Sequence, residues 1–308
     1  MKAVLGWAGL LMALCFCSCA MHPCGEVFAE PRRSDFEFTI TRLNGHRYKI
    51  ASTPSHGAPI LITHGLGGLD GATLEWAKHL GDHGWKVYLP MLETDFNSCH
   101  PISHYFNLQI SGRWDMHNAH SSGAVLNDMG VLADQISQQH KSRPIVVVGN
   151  CLTGGFPLAL LNHRSVKTAV LCQPALPMKT LVQNIFNKPQ SDIDRIAFGI
   201  PEAEVGKSLD TLRSDPTKRL FGFHYLEDPL APIAKFYWLH DELKKRGIAQ
   251  KFRPVLLVPE NATVKGEWFD KMTTKAAKTA LKPHVTLTGS DEPDRSKLRR
   301  RFDQLVKP

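Results

Sequence analysis

After its first thirty residues the chain has no apolar run approaching the roughly 20 residues that a spanning helix needs, which excludes a polytopic membrane protein. It has no internal repeat and no low-complexity tract, so solenoid arrays and biased disordered segments are excluded too. Proline (20 of 308 residues) and glycine (23) are near average, ruling out collagen-like and proline-rich architectures. Of 7 cysteines only Cys99, Cys151 and Cys172 lie beyond residue 24, too few for a disulfide scaffold. Acidic side chains are outnumbered, 29 against 37 Lys and Arg, for a net charge of +8. That charge is scattered, with one dense stretch at Lys297, Arg299, Arg300 and Arg301. No aromatic residues interleave with it, so it reads as a solvated surface and not as a nucleic-acid face. What is present is 43% hydrophobic residues, enough to build a real core.

The N-terminus reads as a targeting segment over 1–29. Lys2 precedes the apolar stretch AVLGWAGLLMALCF, which has the n- and h-region form of a secretory signal. Phe16-Cys17-Ser18-Cys19 resembles a loose bacterial lipobox, in which Cys19 would be acylated and would attach the protein to a membrane. Cleavage after Val27-Phe28-Ala29 would instead release a soluble protein, and an uncleaved anchor is a third outcome. All three export residues 30–308, and the expectation adopted is a periplasmic, membrane-anchored lipoprotein. Loss of 1–29 removes one cation (Lys2) and one anion (Glu26), so the charge balance of the body is unchanged.

From residue 30 onward, strand and helix patterns alternate. Segments 35–40 and 47–52 flank Asn44-Gly45, a strong hairpin signal. Apolar strands are expected at 59–63, 86–89, 144–148, 167–171, 220–225 and 255–258. Helices are expected at 72–80, 122–139, 152–161, 233–245 and 295–306, with Val125, Met129, Leu132 and Ile136 at helical spacing in the second. Residues 99–120 read as a polar loop, and 178–218, broken by Pro189, Pro201 and Pro216, as an insertion or cap. Buried strands separated by helices indicate one α/β domain, a mostly parallel central sheet flanked by helices with an antiparallel N-terminal hairpin.

The stretch Gly149-Asn150-Cys151-Leu152-Thr153-Gly154-Gly155 follows the most apolar strand and opens a helix. A sharp strand-to-helix turn crowds its neighbours, and small residues relieve that crowding. The turn also places Cys151 at a helix N-terminus, where free N–H groups favour a thiolate. This is a nucleophile-elbow pattern with cysteine in the serine position. A buried structural cysteine is the competing reading. In that architecture the order is nucleophile, acid, histidine. Asp228, after strand 220–225, sits where the acid belongs, with Glu227 a rival and helix capping the alternative role for Asp228. His284 is the only histidine after strand 255–258, where the base belongs. Side chains of neighbouring extended residues point to opposite faces, so only one of Glu227 and Asp228 can reach His284. Pro229 and Pro232, which fix the chain after it, favour Asp228. In His64-Gly65-Leu66-Gly67-Gly68, the Leu66 N–H is paired with the Leu152 N–H as an oxyanion site. His64 is read as packing the loop. His100, His104, His117 and His120, near Asp115 and Cys99, tempt a zinc reading, but no metalloprotease or structural-zinc spacing accompanies them, so no metal is assigned.

GNCLTGGF, VLCQPALP, EDPLAP and PHVTLTG together resemble the dienelactone hydrolase family, in particular members with a C-L-T-G-G elbow. The resemblance runs from about Pro59 to His284 and includes KVYLPML. It implies an α/β-hydrolase fold with Cys151 as nucleophile, Asp228 as acid and His284 as base. The family's Glu after the first core strand is replaced here by His64-Gly65-Leu66. The function expected is an exported cysteine hydrolase cleaving a small-molecule carboxylic ester, thioester or lactone through an acyl-enzyme, with no cofactor and no nucleic-acid partner. The alternative is a non-catalytic envelope lipoprotein that uses the scaffold for binding.

Overall fold

The computed structural model describes residues 31–98, 100–178, 191–228, 230–259, 262, 264, 267–274, 287 and 294–307. Among them nine strands form one sheet: β1 (Glu37–Leu43), β2 (His46–Ser52), β3 (Ala58–Thr63), β4 (Trp85–Met91), β5 (Ile145–Asn150), β6 (Val166–Cys172), β7 (Arg219–Tyr225), β8 (Phe252–Pro259) and β9 (Asp270–Thr274). Their spatial order is β1-β2-β4-β3-β5-β6-β7-β8-β9. β2 pairs antiparallel with β1 and β4, and every other pairing is parallel.

The central strands β3 to β8 are mostly apolar and buried because both faces of the sheet are covered there. Side chains alternate between faces along a strand, and successive residues accordingly enter two different cores. Leu61, Val147, Leu171 and Leu256 lie in one. Ile62, Val148, Val170 and Leu257 lie in the other. The helices are α1 (Gly71–Asp82), α2 (Pro101–Ile110), α3 (Ala124–Gln139), α4 (Phe156–Leu160), α5 (Asp192–Ile196), α6 (Glu202–Ser214), α7 (Ala234–Lys245) and α8 (Asp294–Leu305). α3, α4, α6 and α7 supply the first core, for example through Met129, Leu158, Leu209 and Phe236. α1 and α8 supply the second, where Trp76 meets Phe302 edge to face at 5.2 Å. α1 starts where the Asp70 carboxylate accepts the Thr73 N–H at 2.9 Å.

The hairpin expected at Asn44-Gly45 forms, with φ of 48° and 88° at those residues and Leu43 paired to His46. It is pinned to α3 by the buried Asp128 carboxylate, which accepts from Asn44 Nδ2 (2.9 Å), Tyr48 OH (2.6 Å) and His46 Nδ1 (2.8 Å). Burial and that carboxylate push the Tyr48 phenol pKa upward.

Three local expectations change. The segment read as a polar loop contains α2, whose Leu108 and His104 are buried while Ser103, Phe106, Asn107, Gln109 and Ile110 are exposed. With exposed Phe106 and Ile110 among its polar residues, so short a helix shows no clean apolar face for periodicity to detect. β9 follows what was expected to be the last strand. The dense basic stretch on α8 is partly internal. Arg299 is buried and donates to Leu287 O and Glu75 at 3.2 Å each, and Arg301 pairs with Asp270. Residues 178–218 hold α5 and α6, and α6 lies against α4 on the route from β6 to β7.

Candidate active site

β5 is buried at every residue and ends at Asn150. The next residue, Cys151, is held at φ 52°. An L-residue with a side chain pays about 1–2 kcal/mol to sit in that left-handed region, so the turn must be held from outside. Several bonds do so. The Cys151 carbonyl accepts the N–H of Gly154 and of Ala175, both at 2.9 Å. The Thr153 hydroxyl accepts the Asn150 N–H (3.2 Å) and donates toward His64 O (3.1 Å) or Asn150 O (3.2 Å). Asn150 Nδ2 donates to Thr63 O at 3.2 Å. At Gly149 a Cβ would stand 2.1 Å from the Thr153 carbonyl oxygen, so any side chain there would force the turn open. Cys151 is part-exposed, whereas Cys172, paired with Asn150 across β5 and β6, is buried.

The loop after β3 is brought beside this turn by the sheet register, because Thr63 pairs with Gly149. The approach is close: a Cβ on Gly65 would stand 2.9 Å from Cys151 Cβ and 3.5 Å from Sγ. The residue before Leu66 therefore lies against the thiol. Leu152 directly follows Cys151 in a single 3-10 turn, where the second donor is expected.

Two buried histidines tie the Leu66 loop to the exit of β4. His64 Nε2 accepts the Leu92 N–H at 3.1 Å, and Nδ1 faces Gly65 O at 3.0 Å. Burial, then the neighbouring His104, push the His64 pKa down to about 3, so it is a neutral imidazole with its proton on Nδ1. His104 lies with Nδ1 2.7 Å from Leu66 O and Nε2 2.5 Å from Leu92 O. Burial lowers its pKa, and the two carbonyl contacts act in the opposite direction. Sequence reasoning placed His104 in a polar loop with other histidines. Its position four residues after the helix-opening His100, with apolar Leu108 four residues further on, was the available sign of an inward-facing helical residue.

Asp228 follows β7 at the same carboxyl edge of the sheet. With β6 between β5 and β7, that edge separates the two sites by roughly 10 Å of backbone spacing. Asp228 is buried and its neighbour Glu227 is exposed. Asp228 Oδ1 accepts from Leu230 N (2.7 Å) and Ala231 N (3.0 Å), so the carboxylate braces the turn that leads to α7. Sequence reasoning did not find Lys235 nearby. It is fully buried, with Nζ bonded to Leu176 O, and burial pushes its pKa down to about 7 against the pull of Asp228 and Asp194. His284 and the four N-terminal cysteines, Cys19 among them, lie outside the described residues, as does Cys99. His117 Nε2 meets Tyr105 OH at 2.9 Å, and His120 faces Glu202 at 3.4 Å. Among the described residues no three His, Cys, Asp or Glu side chains gather as metal ligands.

A mixed sheet that is parallel through its centre, with a strained strand-to-helix turn after β5, is the α/β-hydrolase fold. Solved structures share it. The chain is similar to a Klebsiella pneumoniae protein assigned as a dienelactone hydrolase, at TM-score 0.53 and 13% identity over 87% of this chain and 97% of that one. It is similar to the dienelactone hydrolase-like promiscuous phosphotriesterase P91 from metagenomic libraries, at 0.52 and 13% over 88% and 97%. The Pyrococcus furiosus esterase Pf2001 matches at 0.51 and 13% over 92% and 99%. No family model matches the chain, and no curated protein matches its sequence.

Proposed function

We propose that this chain is a cysteine-nucleophile hydrolase of the dienelactone hydrolase type, cleaving a small-molecule carboxylic ester, thioester or lactone. The observation that carries the reading is Cys151 held at φ 52° between a buried parallel strand and a helical turn, with the Gly65-Leu66 loop packed against its thiol. Strain of this kind persists where the surroundings over-determine it, and it aims a side chain out of the turn.

In the proposed reaction His284 takes the Cys151 thiol proton as Sγ attacks the substrate carbonyl. The C=O electron pair moves onto oxygen, where the Leu66 and Leu152 N–H groups receive it. The intermediate collapses, the C–O or C–S bond to the leaving group breaks, and His284 returns the proton to the departing atom. Water then attacks the acyl-thioester, giving a proton to His284, and collapse releases the carboxylic acid and restores the thiol. Asp228 orients His284 and stabilises its charged form. Burial of Asp228 beside an exposed Glu227 supports that choice of acid. The reaction draws on no cofactor. The N-terminal sequence supports export, with acylation at Cys19 as the attachment.

The test is a panel of chromogenic esters, thioesters and lactones, run beside Cys151→Ala. Hydrolysis lost in the variant supports the assignment. No hydrolysis by the wild type, together with Cys151 no more reactive toward an electrophilic probe than Cys172, would leave a binding scaffold instead.

A further inference from the structure

The parallel strands place their amino ends on the side of the molecule opposite Cys151. There a groove of about 710 Å³ opens between the sheet and the end of α8. Arg143, just before β5, Lys167 on β6, Arg219 on β7 and Lys307 after α8 line it, all four exposed, and no carboxylate is among its described lining residues. None of the four is in an ion pair among the described residues. In sequence these cations are dozens of residues apart. The sheet order puts β5, β6 and β7 side by side, and neighbouring strands are only about 4.8 Å apart. Like charges gathered in one groove repel, and an anion between them removes the repulsion.

The groove is not uniformly polar. Its wall includes exposed Pro144 and part-exposed Ala58 and Leu305, which favours an anion carried on an apolar body over a free ion. Trp85 is only 2% exposed and offers no ring face for base stacking, which argues against single-stranded nucleic acid. We propose that this groove is a docking site for phospholipid with an anionic headgroup at a membrane surface. The phosphate would sit among Arg143, Lys167, Arg219 and Lys307, and the glycerol and upper acyl chain would lie on the apolar wall. The six residues of β5 span roughly 20 Å, so docking here holds Cys151 on the far end, facing away from the bilayer. The inference does not depend on the catalytic reading.

The experiment is sedimentation with vesicles of phosphatidylcholine alone or mixed with phosphatidylglycerol. It uses residues 31–308, which contain the whole described sheet and both cores and omit the apolar N-terminus. Binding is expected only to the phosphatidylglycerol vesicles, weakening with salt. At about fivefold per charge, R143Q/K167Q/R219Q/K307Q should lose several hundredfold of the partition coefficient. A charge-matched control, R42Q/R47Q/K207Q/K244Q, removes four exposed cations elsewhere and should lose less than about tenfold. R143K/R219K keeps the charge and should keep binding, which separates lost charge from lost folding. Equal loss in the two quadruple variants, or equal binding to phosphatidylcholine, would overturn the site. Release by inorganic phosphate beyond chloride of the same ionic strength, or tighter binding of single-stranded RNA, would overturn the choice of ligand.

Discussion

Gly65→Ala is the most demanding test of how the Leu66 loop serves Cys151. The added Cβ would meet Cys151 Cβ at 2.9 Å, where ordinary contact begins at 3.4 Å. The gap to be made up is about 0.5 Å, and Cys151 cannot supply it, because its carbonyl accepts two backbone N–H bonds and the turn around it is held by further bonds in a strained conformation. The loop therefore retreats, and the Leu66 N–H goes with it. An oxyanion donor works within about 2.7–3.1 Å of the developing charge, so a retreat of this size takes it out of range. Loss of one such donor costs about 10²–10³ in kcat, while KM, set by the rest of the pocket, should stay within a few-fold. Overpacking should cost about 1–3 kcal/mol of stability, at roughly 2–4 °C of Tm per kcal/mol. The assay is steady-state kinetics on the best substrate from the panel, with a thermal melt of the same sample. A variant with kcat within threefold of wild type would refute the argument that the bare Gly65 keeps the Leu66 amide in register.

Cys151→Ala should lose at least about a thousandfold of kcat, and Cys151→Ser should retain weak activity, because a hydroxyl is harder to deprotonate than a thiol. Full turnover by the alanine variant would dismiss the nucleophile assignment. Asp228→Asn should be crippled by orders of magnitude in kcat and Glu227→Gln nearly wild type at pH 7, and the reverse order of damage would move the acid to Glu227. His64 titrates near 6.5 when unfolded but is held at about 3 when folded, so the unfolded chain binds more protons between those values. Its contribution is thus complete above about pH 6.5 and lost as pH falls toward 3, with a slope of at most about 1.4 kcal/mol per pH unit. Denaturant titrations of wild type and His64→Gln across that range should show a shallower slope in the variant, and equal slopes would contradict a buried neutral His64.

Local chemistry was legible in the chain because it depends on neighbours in sequence. Asn44-Gly45 specifies a hairpin by the φ values its two residues tolerate, and the apolar runs specify strands buried on both faces. The glycines around Cys151 specify a turn too crowded for side chains. Those relations survive without coordinates because each is settled within about ten residues. What required the tertiary structure were relations between segments far apart. The register of Thr63 with Gly149 puts the Gly65-Leu66 loop on the thiol. α2 turns a histidine that reads as a surface residue inward, between Leu66 O and Leu92 O. The conspicuous basic run on α8 is partly taken up by Glu75 and Asp270, while Arg143, Lys167, Arg219 and Lys307, unremarkable in sequence, converge on one groove. The reason is the same in each case: charge and hydrogen bonding act over a few ångströms of space, and only strand order and register determine which distant residues come that close.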